Sequence, residues 1–260
     1  MSLDPAAGRA VKIAVQGGLA RVTLDRPPVN VLTTAMMRDL ASALRSVAAD
    51  PDVRVVRLDA EGKTFSAGVD VGEHLGPALP AMMDALADLF AAFESVPQPI
   101  VAVVQGAALG GGLEVVLGCD LVVASERASF AQPEIKLGVF APPATVLLPR
   151  RIGASAATGL LLTGESLSAS QAWGLGLVHA VLPVEGFETA AEAWVGKLLA
   201  LSGVALRLAK RALSASLDLP LREAHDAVHD IYLNDLMATQ DAREGLESLV
   251  AKRPPVWKHR

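Results

Sequence analysis

The first sixty residues contain short runs of apolar and β-branched residues that are typical of strands. Two of these runs, residues 11–16 and 19–25, flank the pair Gly17-Gly18, so the pattern predicts a β-hairpin. Residues 53–60 (VRVVRLDA) alternate apolar and basic residues, and this alternation predicts a third strand.

Two later features of the pattern are helical. Apolar residues recur three or four positions apart in two segments, which predicts amphipathic helices that pack on a core. These segments are residues 33–50, marked by Met36, Leu40, Leu44 and Val47, and residues 79–95, marked by Met82, Leu86, Leu89 or Phe90, and Phe93. From residue 154 the pattern is mostly helical, interrupted by a strand-like run at 177–183. We therefore predict an α/β core over residues 1–201 and a helical C-terminal region over residues 202–260.

The most informative stretch is residues 98–120 (QPIVAVVQGAALGGGLEVVLGCD), where a buried-type strand leads into three glycines and a helix. A backbone without Cβ atoms can approach a ligand closely, and the first amides of a helix have no intrahelical acceptor. The junction at Gly110, Gly111 and Gly112 therefore predicts an oxyanion or anion site, with Glu114 about one helical turn away. A close packing contact of the helix is the alternative that glycines alone leave open.

The composition is that of a soluble globular chain. It has 260 residues, of which 52% are hydrophobic and 20% are charged, and a formal net charge of −5. No apolar run reaches the roughly eighteen residues that a membrane helix needs. The negative charge, the lack of a long basic run and the 4% aromatic content argue against a nucleic-acid surface. The start, MSLDPAAGRAVK, has no apolar core and carries Asp4, so we expect no targeting peptide and a cytoplasmic protein.

Several other chemistries are disfavoured. Cys119 is the single cysteine and has apolar neighbours, which predicts a buried structural thiol. Ser66 lacks a nucleophile elbow, because Thr64 stands where its first glycine belongs. The segment at 106–112 does not fit a dinucleotide fingerprint. A metal site is poorly supported, because the histidines are scattered. They are His74, His179, His225, His229 and His259.

Two carboxylates stand in apolar surroundings. Glu114 follows the glycines, and Glu134 follows Pro133 in a transition from polar to apolar residues. A carboxylate is seldom buried without a partner or a function, and burial would raise its pKa toward the range that suits general acid and base catalysis. Their pairing depends on tertiary structure, and satisfaction by backbone amides or ion pairs is the alternative.

Three segments occur together in a characteristic order: FSAGVD at 65–70, GAALGGGLEVVLGCD at 106–120 and SFAQPEIKLG at 129–138. They resemble the linked motifs of the enoyl-CoA hydratase/isomerase (crotonase) superfamily, and the resemblance extends along nearly the whole chain. It implies a crotonase-like spiral of ββα units with a helical C-terminal region that trimerises, as a homotrimer or a dimer of trimers. It also implies a coenzyme A thioester substrate and no metal or redox cofactor.

Carried over to this sequence, the resemblance places an oxyanion hole at the backbone amides of Val69 and Gly111. It places Glu114 and Glu134 on one water, with one carboxylate taking its proton and the other, Glu134, delivering a proton to the α-carbon. Members that only isomerise often lack one of the two acids, so the pair favours hydration. The implied substrate and coenzyme A contacts are Ala67, Gly68, Asp70, Val71, Gly110, Pro133 and Lys252, with Arg253, Lys63 and Arg26 as further candidates.

Two departures from the family pattern concern the ligand. Gly72 stands where many relatives have a basic residue, so one contact to the adenosine phosphate is lost. Residues 139–149 read VFAPPATVLLP where a glycine-rich segment is common, and Pro142 and Pro143 stiffen this wall of the acyl pocket. The segment looks closer to the branch that hydrates cyclic dienoyl-CoA esters.

The sequence therefore predicts a hydratase that adds water to an α,β-unsaturated acyl-CoA. A cyclohexa-1,5-dienecarbonyl-CoA-type hydratase, a double-bond isomerase and a non-catalytic acyl-CoA-binding paralogue are the alternatives.

Overall fold

The computed structural model describes residues 10–260, so Asp4 and the predicted absence of a targeting peptide lie outside the described part. The strands are β1 Val11–Gln16, β2 Leu19–Leu24, β3 Val55–Ala60, β4 Ile100–Val104, β5 Ala107–Leu109, β6 Leu121–Ser125, β7 Ser129–Ala131, β8 Ser166–Ser168 and β9 Ala180–Leu182. The α-helices are α1 Thr34–Ala49, α2 Leu79–Ser95, α3 Gly111–Leu117, α4 Pro142–Ile152, α5 Ala154–Thr163, α6 Ala169–Gly174, α7 Phe187–Leu199, α8 Gly203–Ser216, α9 Leu221–Asp230 and α10 Gln240–Val250. Short 3₁₀ helices span Val71–His74, Gly76–Ala78 and Pro133–Leu137, and a π-helical turn spans Ile231–Leu236.

A six-stranded sheet in the order β1-β2-β3-β4-β6-β9 forms the centre of the molecule. The predicted hairpin is confirmed, because β1 and β2 pair antiparallel around Gly17-Gly18. From β2 onward the neighbours are parallel, so their carboxyl ends lie at one edge of the sheet. The loops that carry two of the three motifs leave β3 and β4 at this edge, which brings those motifs together.

Helices cover both faces of this sheet. The predicted helices α1 and α2 are confirmed, and their apolar stripes enter the larger core cluster with Leu40, Leu44 and Leu89 fully buried. On the other face, α7 packs on β3 and β9 through a smaller cluster that includes Val101 and Val195. Because both faces are covered, the sheet is a buried scaffold, as parallel sheets usually are.

Of the two basic residues in the segment 53–60, Arg57 lies within β3 and Arg54 lies just before it. Arg57 is only 2% exposed, and its Nε lies 2.8 Å from Oδ2 of Asp59, which is also buried. Arg57 Nη2 donates to Glu188 at the start of α7 at 2.5 Å, and Thr23 donates to Asp59 at 2.7 Å. The alternation therefore marks a buried ion-pair network that binds α7 to the sheet.

A second, three-stranded sheet in the order β5-β7-β8 was not anticipated from the sequence. Its strands are three residues long, too short to show a period. The parallel pairing of β5 with β7 sets Ala107–Leu109 beside Ser129–Ala131. It therefore holds the second and third motifs side by side.

The C-terminal residues are helical, as predicted, and α8 is anchored to the sheet by polar contacts. Lys210 Nζ lies 2.6 Å from Oδ2 of Asp120, which also accepts the Ile100 amide at 2.7 Å. The buried Asp241 at the start of α10 accepts from Ser202 Oγ at 2.5 Å. Within residues 10–260 no single helix is long and apolar enough to cross a membrane, and only the sharply bent pair α7 and α8, taken together, meets length and composition limits.

Candidate active site

The glycine run joins β5 to α3 at a point with no room for side chains. Gly110 has φ = 52°, a left-handed conformation that favours glycine. A Cβ on Gly112 would lie 2.6 Å from the carbonyl oxygen of Ser66, and one on Gly111 would lie 2.5 Å from Val69 Cγ2. The close-packing alternative is thus correct for Gly112, while Gly110 and Gly111 also expose backbone to the site.

Val69 and Gly111 present adjacent backbone amides at the junction. Val69 forms a parallel bridge to Leu32, in which Gly68 O and Asp70 N make the bonds to Leu32 at 2.8 and 3.0 Å. The Val69 N–H therefore points to the other side, toward α3. Its nitrogen lies 3.2 Å from where a Gly111 Cβ would stand. Within residues 10–260 neither the Val69 nor the Gly111 amide has a hydrogen-bond acceptor, as an oxyanion site requires.

Glu114 lies on the first turn of α3 and is 3% exposed. Its Oε1 accepts the Ala144 amide at 3.0 Å. Pro142 and Pro143 open α4 and have no N–H, so Ala144 is the first residue of that helix able to donate. Burial raises the pKa of Glu114 to about 8, the Ala144 hydrogen bond opposes this rise, and the charge of Glu134 adds to it.

Glu134 lies in the 3₁₀ helix after β7, and its carboxylate reaches the same glycine junction. A Cβ on Gly110 would overlap Oε1 of Glu134, so the carboxylate packs directly on the Gly110 backbone. Its Oε2 is inaccessible and has no hydrogen-bond partner within residues 10–260. Burial raises the pKa of Glu134, an effect opposed by a local backbone hydrogen bond and by the charge of His74.

Glu114 and Glu134 lie at the same glycine junction, although 20 positions separate them in sequence. The Glu114 amide bonds to the Gly110 carbonyl at 3.0 Å, and the Glu134 carboxylate lies against the Gly110 Cα. The charge of Glu134 contributes to the raised pKa of Glu114. With its pKa raised to about 8, Glu114 holds its proton near neutral pH.

The other candidate residues differ in how close they lie to this junction. Gly68 packs against Leu109 and Gly110, since a Cβ on Gly68 would lie 3.1 Å from the Leu109 oxygen. Asp70 uses its carboxylate to accept the Gly72 amide at 2.8 Å, so it shapes the loop. The remaining candidates line the same loops or the end of the chain: Ala67 bonds to Val29 O at 2.9 Å, Val71 is 61% exposed, Pro133 opens the 3₁₀ helix, and Lys252 follows α10 with φ = 52°.

Three groups near the site were missed by the sequence reasoning. The Ala144 amide depends on where α4 begins, which only the proline pair hinted at. Gln132 is 1% exposed, and neither polar atom of its amide has a partner within residues 10–260. His74 is one of several scattered histidines in the sequence, yet its charge acts on Glu134. Its Nδ1 lies 3.0 Å from the Asp70 carbonyl, an obligate acceptor, so the proton sits on Nδ1.

The site contains no arrangement suited to metal or thiol chemistry in the described part of the chain. No group of three or more His, Cys, Asp or Glu side chains there could share one metal ion. The structural role predicted for Cys119 is confirmed, because the residue is fully buried and burial raises the pKa of its thiol well above the usual value. His225 and His229 are exposed on α9, as predicted.

Comparison with known proteins identifies the family to which this fold belongs. The family model for enoyl-CoA hydratase/isomerase matches residues 14–260. The chain is 39% identical over 245 residues to cyclohexa-1,5-dienecarbonyl-CoA hydratase of Thauera aromatica, covering 94% of each sequence. Its fold is similar to the crystal structures of enoyl-CoA hydratase from Mycobacterium smegmatis (TM-score 0.90, 32% identity, 95% of this chain and 98% of that chain) and from Bacillus anthracis (TM-score 0.89, 31% identity, 96% and 100%). With its α/β fold, its three motifs and its paired acids in one site, the chain belongs to the enoyl-CoA hydratase/isomerase family of enzymes.

Proposed function

We propose that this protein adds water across the α,β double bond of an acyl-CoA thioester. The observation that carries the proposal is a buried Glu114 and a partly buried Glu134 at one glycine junction, beside the amides of Val69 and Gly111, which have no acceptor within residues 10–260. An isomerase needs to move a proton, whereas hydration also needs a water activated beside an acid. A pair of carboxyl groups, of which Glu114 holds a proton, supplies both functions.

The thioester oxygen is proposed to accept hydrogen bonds from Val69 and Gly111. Attack on the β-carbon moves negative charge onto this oxygen, and two fixed amides stabilise that charge without reorganising. Removing one donor from such a site typically costs about 3 kcal/mol of transition-state stabilisation. The α-carbon is next to the thioester carbonyl, and the Glu134 carboxylate lies beside Gly110, the residue before one donor. Glu134 is therefore placed to protonate the α-carbon.

The resting proton lies on Glu114, whose pKa is about 8, so it has to reach Glu134 before the addition. A water held between the two groups provides the route: it accepts the proton of Glu114 and donates one of its own to Glu134. Glu114 is then the base that removes a proton as the water oxygen bonds to the β-carbon, while Glu134 gives its proton to the α-carbon. The step leaves Glu114 protonated and Glu134 ionised, which restores the resting state.

We propose a cyclic conjugated acyl group as the substrate. The relative in Thauera aromatica is named for cyclohexa-1,5-dienecarbonyl-CoA, and the Pro142-Pro143 start of α4 makes a rigid wall beside Glu114. Large apolar side chains are exposed on the segment between Glu134 and α4, including Phe140 at 67% and Leu137 at 66%. A ring is compact and apolar, so it suits a stiff apolar wall better than a long flexible chain does.

The remaining features of the proposal concern the whole enzyme. Large exposed apolar residues on the C-terminal helices, such as Leu217 (75%) and Leu221 (78%), support self-association as a trimer or a dimer of trimers. Lys252 is proposed to contact the coenzyme A nucleotide. The chemistry needs no metal or redox cofactor, because the carboxyl groups and the amides supply proton transfer and charge stabilisation. We propose a cytoplasmic location.

The test is product analysis by mass spectrometry after incubation with crotonyl-CoA and with a cyclic dienoyl-CoA. We expect a product heavier by one water, formed faster from the cyclic ester. A product of unchanged mass with a shifted double bond would show isomerisation instead. Binding of the thioesters without conversion would support the non-catalytic alternative.

A further inference from the structure

A large polar cavity lies at the end of the sheet opposite the carboxylate pair. Its volume is about 900 Å³, and its walls include the Gly17-Gly18 turn, the loops before β3 and β4, and the last residues of the chain. The candidate active site is at the carboxyl ends of β3 and β4, whereas this cavity is at their amino ends. A six-residue strand separates the two by roughly 20 Å. The cavity is therefore not part of the site described above.

Cationic side chains dominate the cavity wall. It is lined by Arg54, Arg207, Lys258 and Arg260, against the two carboxylates Asp50 and Asp52. None of the four cations forms an ion pair with a carboxylate within residues 10–260. Arg54 donates to the carbonyls of Gly17 and Leu199, Arg207 to that of His259, and Arg260 to the Gln240 amide oxygen. The four cations outnumber the two carboxylates among the lining residues, so the wall carries a net positive charge.

Two hydrogen-bond donors face each other in this wall. The Gly203 amide donates to Nδ1 of His259 at 3.1 Å, so the proton of the neutral ring sits on Nε2. Nε2 lies 3.3 Å from Nη1 of Arg54, which is itself an obligate donor. Burial lowers the pKa of His259, the charges of Arg54 and Arg207 act in the same direction, and the Asp241 carboxylate opposes them. An anionic oxygen placed against both groups would accept a hydrogen bond from each.

The same cavity also contains acceptors. Gln98 is 2% exposed and donates from Nε2 to the carbonyls of the α1–β3 region, with the shortest distance 3.3 Å to Val53. Its Oε1 is inaccessible, so Gln98 closes the wall without offering an acceptor to the cavity. The acceptors in the wall are the carboxylates of Asp50 and Asp52. A ligand that satisfies the cavity therefore needs hydroxyl or amino donors as well as an anion.

We propose that this cavity binds a phosphate monoester that carries hydroxyl groups, such as a nucleotide or a sugar phosphate. The phosphate lies against Arg54 and His259 Nε2, within reach of Arg207 and Lys258, and the hydroxyl groups face the Asp50 and Asp52 carboxylates. This binding site is separate from the acyl-CoA site, so it does not depend on the proposed hydratase activity.

The test is isothermal titration calorimetry of the full chain with AMP, ribose 5-phosphate and inorganic phosphate. We expect one ligand per chain, with either ester bound more tightly than inorganic phosphate. AMP bound much more tightly than ribose 5-phosphate identifies a nucleotide, and equal binding identifies the sugar phosphate as sufficient. No binding of any ester, or esters no tighter than inorganic phosphate, would overturn the proposal.

Substitutions of the lining residues test where the phosphate ester binds. Lys258→Ala and Arg207→Ala are expected to weaken AMP binding at least tenfold, because charged hydrogen bonds contribute that much or more. Arg222→Ala, an exposed cation on α9, is the control and should bind as the wild type does. Loss of binding in Lys252→Ala alone would place the nucleotide in the acyl-CoA site and overturn the assignment.

A second measurement uses the wild-type protein, so it does not require any variant to fold. Nitrogen-15 NMR of the histidine rings reports which nitrogen of His259 is protonated. We expect the Nε2–H form in the free protein and a shift of that resonance on adding ribose 5-phosphate. An Nδ1–H ring in the free protein, or no shift at saturating ester, would contradict the proposed contact.

Discussion

Replacement of Glu114 by Gln isolates the cost of burying an acid at the centre of the site. The amide keeps the size of the carboxyl group, and its oxygen can still accept the Ala144 N–H that Glu114 accepts at 3.0 Å. What the substitution removes is the ionisation. Glu114→Gln should therefore remove the pH dependence of stability that Glu114 contributes while leaving the packing intact.

The size of this pH dependence follows from the difference between the pKa of Glu114 in the folded protein and in the unfolded chain. The pKa of Glu114 is raised from 4.5 to about 8 by burial in the folded protein. Between these values the unfolded chain has lost a proton that the folded chain retains, so the free energy of unfolding falls as the pH rises and levels off above the folded pKa. The full shift corresponds to about 5 kcal/mol. Between about pH 6 and pH 8, the free energy of unfolding of the wild type should fall by about 2 kcal/mol relative to that of the Gln variant.

The assay is urea denaturation of wild type and Glu114→Gln at several pH values, with Glu126→Gln as an exposed control. We expect the free energy of unfolding of Glu114→Gln, relative to that of the wild type, to increase as the pH rises. The control should show the same pH dependence as the wild type. Parallel curves for wild type and Glu114→Gln would refute the claim that a buried, protonated Glu114 is present in the resting site.

Other consequences of the structure are tested in the same way. Gly110→Ala places a methyl group on the Glu134 carboxylate and should lower kcat about a hundredfold, with circular dichroism confirming the fold; unchanged turnover would contradict the packing of that acid. Arg57→Ala removes one of the two cations paired with the buried Asp59 carboxylate, leaving Arg21, and should cost about 3 kcal/mol of unfolding free energy, whereas Arg45→Ala at an exposed pair should cost much less. Lys252→Ala should raise the KM for acyl-CoA with little change in kcat, and a selective loss of kcat would argue against a nucleotide contact.

Much of the scaffold was predictable because its signals are local. The two strands of the hairpin and the helix at 79–95 begin and end within one residue of where the apolar pattern places them. Such segments are long enough to show a period or are bounded by proline and glycine. By contrast, the three-residue strands of the second sheet carry no period, and Arg57 gives no sign of being buried, because α7, which covers it, is more than a hundred positions away.

The site was predictable in its members but not in its geometry. Glu114 stood out as an acid on an apolar helix, and Glu134 as an acid in an apolar loop. Their meeting at the glycine junction depends on the pairing of β5 with β7, which links residues more than twenty positions apart. The role of the Ala144 amide could not be predicted, because a backbone donor has no sequence signature. The proline pair that exposes it suggested a stiff wall rather than a hydrogen bond to Glu114.

The central claim is that Glu114 and Glu134 together add water to a conjugated acyl-CoA. The most direct measurement follows the ultraviolet absorbance of the conjugated thioester with wild type, Glu114→Gln and Glu134→Gln, using a cyclic dienoyl-CoA and crotonyl-CoA. We predict rapid loss of the band with the wild type and a loss at least a hundredfold slower with each variant, which still binds the thioester. Wild-type rates in either Gln variant would contradict the account.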